Sequence, residues 1–173
     1  MRAGEILGLR TIDLDFERGI IQPRVQADER TRQLRDLKTP NSKSPIPMTP
    51  DLAVVLKTYL QHHWRDNPNK LLFTTRNARP CRRAYVVKFG LRPLLKELGL
   101  PHEHVGLHAF RHGIGTALAD RKVSPKTVQQ ILRHTDIKTT FRYYVHSDLE
   151  AQRDALSSVA ISTKVPISTN SDT

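Results

Sequence analysis

Apolar residues alternate early in this chain and recur every three or four residues later, and that change of period limits the folds open to it. In TIDLDF, Ile12, Leu14 and Phe16 alternate with Asp13 and Asp15, the pattern of a half-buried strand. Glu17-Arg18-Gly19 makes a turn, and Ile20 to Val25 reads as a second strand. Ser44 to Met48 supplies a third, short one. Between them runs a polar loop, residues 26–43, made basic by Arg30, Arg32, Arg35, Lys38 and Lys43. Residues 3–9 read as the last turns of a helix.

From residue 49 the helical period takes over. Thr49-Pro50-Asp51 is a helix start: a capping hydroxyl, a proline in the first turn and an acid beside it. Leu52, Val55, Leu56, Tyr59 and Leu60 then share one face, and Asn67-Pro68-Asn69 ends the segment. A short strand at Leu71 to Phe73 precedes a helix from Arg82 to Leu98, which Pro93 kinks or divides and Gly99 stops. Further helices are expected over about 108–120, 125–132 (Ser124 cap, Pro125 in the first turn) and 137–146, with a last one from Asp148. The tail from Ser157, rich in Ser and Thr, is expected to be disordered. The predicted fold class is mainly α with a small antiparallel β-sheet, an α+β chain.

Composition narrows the functions. A length of 173 residues suits one domain, and 38% hydrophobic with 26% charged residues suits a soluble one. The net charge of +11 points to a polyanionic partner, nucleic acid being the commonest. The single cysteine, Cys81, rules out an internal disulfide and a cysteine-based zinc site. Neither a signal peptide nor a membrane span is legible, so a cytoplasmic location is expected.

Two short stretches carry candidate chemistry. In LHAFRH, His108 and Arg111 are three residues apart, so on a helix both donate toward one phosphate. In a chain with 28 Lys and Arg and 8 His, such a pair also arises by chance. His108 and His112 have metal-ligand spacing, but Ala109 stands where a zinc protease needs its glutamate, so neither metal nor cofactor is expected. In ILRHTDIKTTFRYYVH, Tyr143 and Tyr144 follow His134 across a polar turn. They are either core aromatics or a nucleophile and its neighbour.

Read in order, Arg2, Lys38, His108-x-x-Arg111, His134 and, nine residues later, Tyr143 resemble the tyrosine recombinases, or phage-type integrases, over about residues 1–150. The resemblance implies that family's catalytic-domain fold without its first helices, spanning 1–156 and followed by a flexible tail, 157–173. Arg2 matches the family's first arginine and Glu5 the acid supporting its helix. Lys38, before Thr39, matches a β-hairpin lysine; His108, Arg111 and His112 match H-x-x-R-H; His134 matches the later histidine and Tyr143 the nucleophile.

By this resemblance, Tyr143 attacks a DNA phosphodiester to give a 3′-phosphotyrosyl link and a 5′-hydroxyl. Arg2, Arg111, His108 and His134 stabilise the charged transition state, with His108 as base and Lys38 as general acid. Tyr144, about 100° further round a helix, packs or contacts DNA. The implied partners are double-stranded DNA and other copies of the chain in a tetramer, with residues 148–173 docking on a neighbour. Departures are Arg133 for the glycine before His134, Ser44-Pro45 where a basic residue precedes the Ile46-Pro47 pair, and Phe110 for leucine. Family members have helices ahead of the first arginine. The chain is therefore expected to be a piece lacking them, with a loosely held Arg2 and weak or no recombination of its own. The alternatives are a type IB topoisomerase and a DNA-binding remnant that no longer cleaves.

Overall fold

Residues 1–144 are described by the computed structural model. Helix α1 (Ala3–Leu7) opens on Arg2, whose backbone N–H donates to Glu5 Oε2 at 2.7 Å. A 3-10 turn (Thr11–Asp13) repeats the device, Arg10 N–H donating to Asp13 Oδ2 at 2.9 Å. Strands β1 (Leu14–Asp15), β2 (Ile20–Ile21) and β5 (Ile46–Pro47) form an antiparallel sheet in the order β1-β2-β5, with Leu14 opposite Ile21 and Ile21 opposite Ile46. Gly19, at φ +62°, supplies the left-handed turn between β1 and β2. The alternating TIDLDF segment is thus only partly strand, and Ile12 is 53% exposed.

The strand expected over residues 20–25 is broken at Pro23, which lacks the N–H a ladder needs. Val25–Ala27 instead begins a separate hairpin, β3, paired with β4 (Leu34–Asp36) inside the stretch expected to be a loop. Asp28 closes the hairpin by accepting from the N–H groups of Arg30 and Thr31 and from the Thr31 hydroxyl. A 3-10 turn (Pro40–Lys43) follows, with Thr39 Oγ1 accepting from the Ser42 N–H.

Helix α2 (Pro50–His62) starts where the sequence places it, Thr49 Oγ1 accepting from Leu52 N–H at 3.4 Å. Its buried face is rotated from the expected one. Leu52 and Val55 are 39% and 62% exposed, while Leu56 enters a core with Leu9, Ile21, Met48 and Leu72. The Tyr59 hydroxyl fixes the rotation by donating to the Leu72 carbonyl. The strand expected at residues 71–73 is reduced to one bridge between Arg10 and Leu71, because the Asn67 side chain takes up both backbone groups of Leu71.

The long helix over 82–98 is broken in the manner proline dictates. Between α3 (Arg83–Tyr85) and α4 (Arg92–Glu97) the backbone forms a π turn, Val86–Leu91, and Arg92 N–H reaches back five residues to the Val87 carbonyl. Pro93, with no N–H, sits just past it. Helices α5 (Leu107–Asp120), α6 (Pro125–Leu132) and α7 (Ile137–Phe141) complete the described chain, α6 capped by Ser124 and α7 by Asp136. The helix expected to reach residue 146 stops at Phe141, and Arg142 to Tyr144 continue as a turn. The helix expected from Asp148 and the tail lie outside the described residues. Among the described residues no helix is long and apolar enough to cross a membrane. The observed class is the expected one, mostly helical with a small antiparallel sheet.

Candidate active site

Three arginines converge where α1, α5 and the end of α6 meet. Arg111 and Gly115 are the buried residues of α5. Arg111 Nη2 donates to the Leu132 carbonyl at the C-terminus of α6, where the helix dipole is negative. Its Nη1 is buried and has no hydrogen-bond partner among the described residues. Burial, then the Arg2 guanidinium, lowers the pKa of Arg111, yet a guanidinium stays charged at ordinary pH. The result is a fixed cation with one donor group unpartnered among the described residues.

Arg2, expected to be loosely held, is tied down. Its Nη1 donates to Glu5 Oε1 at 3.1 Å and to Ser42 Oγ at 2.8 Å. Its acceptors are anchored in turn: Glu5 is buried and also pairs with Arg133 Nη2, and Thr39 Oγ1 lies 2.9 Å from Ser42 Oγ.

Arg133 is the departure from glycine noted in the sequence, and its backbone explains why glycine suits the position. It caps α6 in the left-handed region at φ +53°, a conformation costing a non-glycine residue about 1–2 kcal/mol. Its side chain reaches back to Glu5 and to the carbonyls of Ser42 and Ser44.

His134, 7% exposed, follows immediately. Its Nδ1 lies 2.9 Å from the hydroxyl of fully buried Thr140, so Nε2 is the ring nitrogen without that tie. The His134 carbonyl accepts from Asn41 Nδ2 and Gln129 Nε2, fixing the turn. Burial chiefly, then the charges of Arg111, Arg2 and His108, lowers its pKa. A neutral imidazole is favoured there.

The two tyrosines part company. The Tyr143 ring lies nearly parallel to His134, centroids 6.4 Å apart at 6°, and 5.1 Å from the His112 ring. It rests on Gly115, where an added Cβ would come within 2.5 Å of Tyr143 Cζ, the carbon bearing the hydroxyl. Tyr144 instead donates its hydroxyl to the Val123 carbonyl between α5 and α6, and burial raises its pKa.

Arg2, Arg111, His134 and Tyr143 are therefore gathered, with His108 on the exposed first turn of α5 near enough for its charge to act on His134. Lys38 lies four residues ahead of Ser42, the hydrogen-bond partner of Arg2. It is exposed on the connection from β4 to β5, strands that pair with different partners, and it makes none of the hydrogen bonds or ion pairs found among the described residues. Beyond His108 a cleft between the π turn and α5 is lined by Arg83, Lys88, Arg92 and His104 and, among the described residues, by no acidic side chain. No three His, Cys, Asp or Glu side chains gather into a metal-ligating group among the described residues.

Ser42 and Gly115 were missed by the sequence reading, whereas Thr140 belongs to the T-T-x-x-Y stretch that ends on Tyr143. Of the two missed, only Gly115 left a signal: a glycine inside a helix costs about 1 kcal/mol relative to alanine and so asks for a reason. Chemically, fixed guanidinium donors and a neutral imidazole beside a phenol suit a phosphoryl group whose negative charge grows as the phenol oxygen attacks.

The profile of the phage integrase family matches residues 1–151. A tyrosine recombinase XerC-like protein of Caldanaerobacter subterraneus subsp. tengcongensis is 29% identical over 171 residues, covering 84% of this chain and 42% of that protein. The transposase of transposon Tn916 from Enterococcus faecalis is 27% identical, over 87% of this chain and 40% of its own length. This chain thus spans about two-fifths of the curated relatives it matches. Among solved structures, the Tn1549 transposon integrase in complex with a circular intermediate DNA superposes with a TM-score of 0.80 at 25% identity, covering 92% of this chain and 55% of that one.

Proposed function

The chain belongs to the phage integrase family, and we propose from that premise that it carries the cleaving and rejoining chemistry of site-specific DNA recombination, with Tyr143 as nucleophile. The observation that carries this reading is the divergence of the two tyrosines. Tyr143 stacks on His134 beside Arg111, whose Nη1 has no partner among the described residues, while the hydroxyl of Tyr144 is committed to a backbone carbonyl.

The phenol oxygen of Tyr143 attacks phosphorus, the bond to the 5′-oxygen breaks, and a 3′-phosphotyrosyl link remains. One phosphate ester replaces another, so reversal onto a new 5′-hydroxyl needs no external energy. A phenol with a pKa of about 10 must lose its proton as it attacks, and His108 takes it. Arg111, Arg2 and His134 face the nonbridging oxygens, and losing one such donor costs on the order of 100-fold or more in rate. The departing 5′-oxygen takes its proton from Lys38. Exposed in this structure, Lys38 reaches that oxygen when DNA seats against the β4–β5 connection.

The partner is double-stranded DNA, whose phosphates the basic cleft at Arg83, Lys88, Arg92 and His104 would follow. The names of the Tn1549 integrase and of the transposon relatives favour a role in the movement of a mobile element, which an assembly of four copies of the chain would carry out. The test is incubation with a nicked duplex bearing a site that the chain itself selects from a randomised pool. A denaturant-resistant protein–DNA adduct, formed equally with chelator present, is expected. Tight, salt-sensitive binding without an adduct would mark a DNA-binding protein that does not cleave.

A further inference from the structure

We propose that Arg133 is a positioning residue for the reaction, holding Arg2, and with it the turn that follows Lys38, in the attitude cleavage requires; this rests on the reading of Tyr143 and Arg2 given above. Arg133 occupies a left-handed backbone position that favours glycine, and it is 3% exposed. A long charged side chain in such a place needs compensation, and its contacts supply it.

Arg133 Nη2 pairs with Glu5 Oε2, 128 residues away in sequence. Its Nη1 donates to the carbonyls of Ser42 and Ser44. Arg2 binds two of these three residues, through Glu5 Oε1 and Ser42 Oγ. The four side chains and the Ser42 backbone close a ring: Arg133, Glu5, Arg2, Ser42 and back. Both acceptors of the Arg2 guanidinium are therefore held by Arg133. The ring also fixes the 3-10 turn beginning at Pro40, since Thr39 Oγ1 bonds Ser42 and Lys38 directly precedes Thr39.

Arg133 does not itself face the reacting atoms. Its Nε is buried with no hydrogen-bond partner among the described residues, and its two terminal nitrogens are engaged within the protein. Glycine at this position would relieve the backbone but open the ring, and lysine would keep one contact to Glu5 without the fork to the two carbonyls.

The test has two arms, each with Arg133→Gly and, in case that variant does not fold, Arg133→Lys. In the first, without DNA, amide hydrogen exchange is followed at Ile6 and Gly8 in and after α1 and at Ser42 and Ser44 in the turn, all hydrogen-bonded here. Loss of protection in both segments, with α2 unchanged, is expected; unchanged protection in either segment overturns the proposal. In the second arm, adduct formation is timed at saturating nicked duplex. The rate should fall by roughly 100-fold, the effect of a guanidinium displaced by about an ångström, with duplex affinity unchanged, Lys intermediate, and a smaller further loss in an Arg2→Ala background than in the unsubstituted chain. An unchanged rate, or losses from Arg2→Ala and Arg133→Gly that multiply, overturns it. If the unsubstituted chain forms no adduct, the reading of Tyr143 fails instead, and the exchange arm alone decides on Arg133.

Discussion

Gly115→Ala should raise the stability of the fold and slow DNA cleavage at the same time. The added Cβ would lie 2.5 Å from Tyr143 Cζ and 2.6 Å from Cε1. Carbon atoms in contact sit about 3.5–4.0 Å apart, so the hydroxyl end of the ring must move by about 1 Å or more. A misplacement of that size at a reacting group costs roughly 100-fold in rate. Alanine in a helix interior is meanwhile better than glycine by about 1 kcal/mol, and the displaced ring is the free end of a side chain rather than backbone. Gly113, two residues earlier on α5, is the control: an added Cβ there meets nothing within 4 Å. Gly113→Ala should stabilise equally and leave the rate alone. The assay pairs thermal melting with single-turnover adduct formation on a nicked duplex. A Gly115→Ala protein that melts higher and cleaves at the full rate would refute the seat assigned to Tyr143.

Tyr144→Phe removes the hydrogen bond to the Val123 carbonyl; a melting experiment should show a loss of about 1 kcal/mol, while adduct formation persists. Lys38→Ala should slow cleavage of ordinary DNA but not of a duplex with sulfur in place of the scissile 5′-oxygen, because a thiolate leaves without a proton; an equal defect on both substrates would remove Lys38 from the role of acid. His134, its pKa lowered mainly by burial, should make stability depend on pH. Below about 6.5 the unfolded chain takes up a proton that the folded one resists, so this contribution is whole above that pH and is lost as pH falls toward the lowered folded value. Comparing melting temperatures of wild type and His134→Gln between pH 8 and 5 should show the steeper acid loss in wild type.

What the sequence disclosed depended on how local the determining interactions are. The starts of α2 and α6 were legible because a hydroxyl followed by proline acts within one turn, and Thr49 and Ser124 cap as expected. The face of α2 was not, since residues 52–56 are all apolar and periodicity cannot choose among them; a hydroxyl contact from Tyr59 to distant Leu72 decides it. The β3–β4 hairpin escaped because its apolar residues, Val25, Ala27 and Leu34, are few among charges. The candidate site was legible as an ordered set of residue types, and the fold brings most of that set together. Its supports were not. The ion pair between Glu5 and Arg133 spans almost the whole described chain and leaves no periodic trace, and Arg133 read as a blemish rather than as a clamp. Lys38 resembles the family's hairpin lysine through its neighbour Thr39, and it has no hydrogen-bond or ion-pair partner among the described residues.

The central claim is that one phenol of the two becomes bonded to DNA. The direct measurement is to isolate the adduct from the nicked duplex, digest both components, and locate the remaining nucleotide on the peptide by fragmentation mass spectrometry. The account requires the phosphodiester mass on Tyr143. The same mass on Tyr144 or any other residue would contradict it, as would tight binding of the nicked duplex with no adduct at all.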